Sequence, residues 1–125
     1  MLHKNALKQA AGAATENAAL DGTWYNQFGS QVTFQVNGNS LSGVFESEEV
    51  PGANPLAGFV NGDLIAFTVN FPGTGITAWA GAANTNNGIV TISTLWQMTT
   101  SLATDNEPEG AIFAGSDTFT QQPPA

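Results

Sequence analysis

Gly22-Thr23-Trp24-Tyr25-Asn26-Gln27-Phe28-Gly29-Ser30 opens the patterned part of this chain. Bulky and polar residues alternate along it until a Gly-Ser pair stops the run, and a period of two is the signature of a β-strand with one face turned inward. The polar members are amides and hydroxyls, without charge, histidine or cysteine. Whether Trp24, Asn26 and Phe28 or the complementary set faces inward, the buried face is not wholly apolar. A β-protein that turns neutral hydrogen-bonding groups inward is expected to enclose something that uses them.

Outward from this stretch the same grammar recurs. Eight β-rich runs are predicted, over 22–28, 30–36, 40–47, 56–61, 63–71, 75–83, 88–100 and 111–121. Between them stand turn residues such as Asn37-Gly38-Asn39, Asn61-Gly62-Asp63 and Pro72-Gly73-Thr74-Gly75. The connections suit hairpins and are too short for crossover helices, so consecutive strands pair antiparallel. Eight strands in a meander close most economically into an all-β, eight-stranded antiparallel up-and-down β-barrel, which leaves no free edge and can hold one small ligand. Residues 1–20, rich in alanine, read as a flexible or helical N-terminal tail, and 21–122 as the single barrel domain.

Composition narrows the chemistry. The 125 residues contain no cysteine, so no disulfide or thiolate metal site is available. Lys4 and Lys8 are the only basic residues and His3 the only histidine; from position 9 onward the chain carries ten acids and no base. Binding to nucleic acid or to an anionic membrane surface requires clusters of Lys or Arg, and both are excluded. No run is long and apolar enough for a membrane span, and no intact signal peptide is read at the N-terminus. Triads, thiol nucleophiles, Schiff bases and P-loops lack their residues. A carboxylate pair, Glu46 with Asp117, remains as a hydrolase alternative, but strand alternation turns Glu46 outward. The loop acids Glu48, Glu49, Asp105, Glu107 and Glu109 lack the spacing of a calcium loop and read as solvated. The chain is therefore not expected to be an enzyme or to need a metal or cofactor.

Five ordered segments, GTWYNQFGS at 22–30, GVFES at 43–47, TAWAG at 77–81, TLWQM at 94–98 and GSDTFT at 115–120, resemble the avidin and streptavidin family of biotin-binding barrels. The resemblance spans about 22–121 and implies non-catalytic binding of biotin. Under it, Asn26 and Ser30 donate to the ureido oxygen, Ser47 and Asp117 accept its two N–H groups, and Thr77 donates to the ring sulfur. Phe71, Trp79, Trp96 and Met98 form apolar walls. Phe45 stands where the family has a tyrosine donor, a loss worth roughly 1–3 kcal/mol if nothing replaces it. The covering loops at 48–55 and 72–76 are shorter than the family's; backbone near Val50 to Asn54 and the Thr74 hydroxyl are the candidates for the valerate carboxylate. The run Asp105 to Gly110 lacks the tryptophan with which tetrameric members reach into a neighbouring pocket, which implies a homodimer, although the disulfide common in dimeric members is missing. Secretion or periplasmic export and vitamin sequestration follow from the resemblance alone. The alternative within the same architecture is a lipocalin-like carrier of another apolar molecule, against which stands the lack of any arginine to pack over Trp24.

Overall fold

The computed structural model describes residues 1–11, 19–101 and 111–124. After a short helix α1 (His3–Ala10), none of whose residues is buried, come β1 (Gly22–Tyr25), β2 (Gln31–Asn37), β3 (Ser40–Glu46) and β4 (Asn54–Asn61). They are followed by β5 (Leu64–Phe71), β6 (Gly75–Asn86), β7 (Ile89–Thr100) and β8 (Ala111–Phe119). The eight strands form one sheet in sequence order, each pairing antiparallel with the next. The sheet curls until its edges meet: Tyr25 N–H donates to Thr120 O at 2.7 Å, and Thr120 N–H returns to Tyr25 O at 2.9 Å. The all-β meander expected from the turn spacing is the fold found. Among the described residues no helix is long and apolar enough to cross a membrane.

The core follows from alternation. In β5 Ile65, Phe67, Val69 and Phe71 are buried while Leu64, Ala66, Thr68 and Asn70 face out. Trp24, Val32, Phe34, Phe67, Val69, Ile92 and Phe119 are sealed from solvent, each contributing about 1.5–3 kcal/mol of transfer free energy if apolar and fully buried. Phe67 stacks on Trp79 with centroids 4.8 Å apart and takes Phe34 edge-on at 5.3 Å. Leu20, the last residue of the expected tail, also packs into this core, and its carbonyl accepts the Trp24 indole N–H at 3.0 Å.

Most strand ends lie within two residues of the sequence reading, and three of the differences have a visible cause. β1 ends at Tyr25 and not at Phe28, which is 81% exposed. The cause is Asn26, whose Oδ1 accepts the backbone N–H of Phe28 at 3.0 Å and of Ser30 at 2.9 Å, capturing the chain into a turn before alternation can continue. β4 starts at Asn54, because Asn54 and Pro55 pair with Phe45 and Val44. β6 runs on to Asn86, because Ala83 to Asn86 find partners in Ile89 to Ile92. The hairpin then turns on Asn87 and Gly88, both with positive φ (54° and 77°), the two-residue turn that matches strand twist. The acidic run at 105–110 lies outside the described residues.

Candidate ligand-binding site

In a meander every second connection falls at the same end of the barrel. The β1–β2, β3–β4 and β5–β6 connections therefore share one end, and there a cavity of about 400 Å³ opens. It is lined by Phe45, Ser47, Glu49, Val50, Phe71, Thr74, Thr77, Trp79, Trp96 and Met98. Seven of the ten residues singled out in the sequence thus share one lining. Phe71, Thr77 and Trp79 are buried on the inward faces of β5 and β6; Trp96 and Met98 are half-buried on β7. Phe45 completes an aromatic wall, 5.3 Å from the Trp79 ring and edge-on to Phe71 at 5.4 Å.

The other three, Asn26, Ser30 and Asp117, are not among the lining residues of that cavity. Asp117, buried on β8, connects to it through Trp79, whose indole Nε1–H donates to Asp117 Oδ2 at 2.9 Å. Its other oxygen accepts from Gln27 Nε2 at 3.2 Å. Asn26 is buried at the end of β1, and Ser30 is half-buried at the start of β2. Because the Asn26 oxygen is held by the two backbone N–H groups, only the donors of its amide remain to be offered.

Ser47 is also constrained. Its hydroxyl donates to the Glu49 carboxylate, and its oxygen accepts the Glu49 backbone N–H at 3.3 Å. With its one proton committed, the hydroxyl can offer a ligand only a lone pair. The Ser47 hydrogen bond and the Glu49 backbone together hold the Glu49 carboxyl below the ordinary carboxylate range, so it is ionised at neutral pH.

Two residues of the site were not found from the sequence. Gln27 grips β8 three times: Nε2 donates to Asp117 and to Ser116 O at 3.1 Å, and Oε1 accepts Thr118 N–H at 3.0 Å. Glu49 was read as a solvated loop acid, and it is fully exposed yet lines the mouth. Glu46 is exposed on β3 and Asp117 is buried, so the hydrolase pair does not converge. Among the described residues no cluster of three or more His, Cys, Asp or Glu could hold a metal ion.

A closed β-meander with a largely apolar cup, a few hydroxyls along it and an ionised carboxylate at its mouth, defines a barrel built to enclose a small ligand. The model of the Avidin family matches residues 14–122, and the chain belongs to that family, whose members are non-catalytic biotin binders. Solved structures agree. The short afifavidin–biotin complex shares 33% identity with a TM-score of 0.72, covering 83% of this chain and 90% of that one. The rhizavidin–biotin complex shares 30% identity with a TM-score of 0.70, covering 79% and 96%. Xenavidin, at 23% identity and a TM-score of 0.73, covers 86% and 100% and bears on the fold alone. Among curated protein sequences none matches.

Proposed function

We propose that the chain binds biotin inside the barrel, through preplaced hydrogen bonds to the ureido group and aromatic walls around the bicyclic ring. The observation that carries this reading is the fixed polarity of the polar groups. Asp117 has acceptors only, Ser47 has its proton committed to Glu49, and Asn26 has its oxygen committed to the β1–β2 turn. A urea has one acceptor oxygen and two N–H donors, which is the complement of that set. Asn26 and Ser30 then donate to the ureido oxygen, Ser47 and Asp117 each accept an N–H, and Thr77 donates to the sulfur. Trp79, Trp96, Phe71, Met98 and Phe45 enclose the rings. Family membership and the biotin complexes of two relatives support the ligand's identity, and the family assignment displaces the lipocalin-like alternative.

Affinity in such a cup arises from groups ordered before the ligand arrives. The closed sheet and its turn fix the donors, so little side-chain entropy is lost on binding, and a small ligand can approach the ceiling of about 1.5 kcal/mol per heavy atom. Calorimetric titration with biotin tests the reading. Tight 1:1 binding per chain is expected, with at least a tenfold loss in Asn26→Ala and in Asp117→Ala; millimolar or absent binding by the parent chain contradicts it.

We further propose that the chain forms a homodimer through the outer face of β4 to β7. A groove of about 470 Å³ crosses that face, floored by Ala57, Ala66, Ala78 and Ala80 and flanked by the exposed Phe59 and Leu95.

A further inference from the structure

We infer that the cup selects biotinyl groups whose tail ends without a negative charge, such as a biotinyl amide on a lysine side chain, over the free acid. This rests on the reading of the cavity as a biotin site and adds the chemical class of the ligand's tail. Of the residues assigned to the bicyclic head, Thr77, Trp79 and Asp117 lie within strands and Asn26, Ser30 and Ser47 stand where the β1–β2 and β3–β4 connections leave them; Glu49, Val50 and Thr74 lie further along the β3–β4 and β5–β6 loops at the mouth. A ligand seated head-first places the end of its tail among these loop residues.

What it meets there is a carboxylate. Glu49 lines the cavity, is fully exposed, and is kept ionised by the Ser47 hydroxyl. Glu48 stands beside it, also exposed, and no Lys, Arg or His follows Lys8 anywhere in the sequence to offset either charge. Glu49 can only accept hydrogen bonds. An ionised valerate offers it a like charge and no donor, whereas an amide offers an N–H and no charge. Like charges at this open mouth repel, more where the protein lowers the dielectric, and the surrounding water and salt keep the discrimination modest.

The test titrates the full chain with biotin and with biotin N-methylamide, which carries no charge, at neutral pH, in low and in high salt, alongside Glu49→Gln. Glutamine keeps an oxygen for the Ser47 hydroxyl and removes the charge. At low salt the uncharged amide is expected to bind about threefold to tenfold tighter than biotin. The ratio should fall toward one in high salt, and toward one in Glu49→Gln at low salt. Free biotin binding as tightly as the amide at low salt, or a preference that neither salt nor Glu49→Gln alters, overturns the inference while leaving the biotin site intact. Binding of neither ligand overturns both readings together.

Discussion

Asp117 shows how single residues set the polarity of the cup. A buried carboxylate is costly unless its lone pairs are engaged, and here the Trp79 indole takes one oxygen and the Gln27 amide the other. Gln27 in turn holds the backbone on both sides of Asp117, so the acid is fixed along with its strand. Nothing in the sequence betrays this, because Gln27 sits in an exposed turn and meets β8 only after the sheet has curled through seven hairpins. The walls were legible for the opposite reason: alternation alone puts Thr77 and Trp79, or Trp96 and Met98, on one face. Phe45 offers a test at this scale. Its ring lies in the wall beside Trp79 and Phe71 and carries no donor. Phe45→Tyr adds a hydroxyl where the ureido oxygen is proposed to lie, and one hydrogen bond is worth about 0.5–1.5 kcal/mol net. Biotin affinity measured by calorimetry should rise by roughly threefold to tenfold; unchanged affinity would put the ring's far edge away from the ligand head.

At the level of elements, strand pairing decides how close the walls can come. Gly115 on β8 lies opposite Trp96 on β7, and a Cβ built at this glycine would fall 2.5 Å from Trp96 Cζ2 and 2.8 Å from Cε2. The indole therefore lies flat across the glycine, and no other residue leaves it that room. Gly115→Ala is expected to push the Trp96 ring from its seat, lowering stability by about 1–3 kcal/mol, as overpacking does. Biotin binding should weaken with it. Thermal unfolding and tryptophan fluorescence check the two effects; a variant with parental melting temperature and emission would mean that the ring has another resting place. The strands themselves were readable from turn chemistry, since Asn-Gly and Gly-Asp pairs punctuate the hairpins. The errors came where side chains or pairing outvoted composition. Asn26 cut β1 short by bonding its own backbone, and the run Ala83 to Asn86, loop-like by its asparagine and threonine content, was drawn into β6 by its ladder with β7.

Over the whole molecule, charge is distributed as though one face were reserved for contact. The chain carries a formal charge of -8, which disfavours association of two copies through any acidic surface. No residue that faces outward from β4 to β8 is charged, because the single acid in those strands, Asp117, is buried. The same surface exposes Phe59, Leu95 and Ile112 at 64–73% of their full area. Exposed apolar groups gathered on an uncharged surface mark an interface, and a stable one needs at least about 1,200 Å² buried in total. Leu95, 73% exposed beside the alanine-floored groove, is the residue to change. Sedimentation velocity should find the parent chain dimeric at micromolar concentration and Leu95→Glu monomeric, because the variant sets two uncompensated carboxylates against an apolar surface. The pocket opens at the end of the barrel while Leu95 points away from it, so the monomeric variant should retain biotin binding within about threefold of the parent, a difference of well under 1.4 kcal/mol. A parent chain that sediments as a monomer, or a variant that remains dimeric, would remove this face from the assembly.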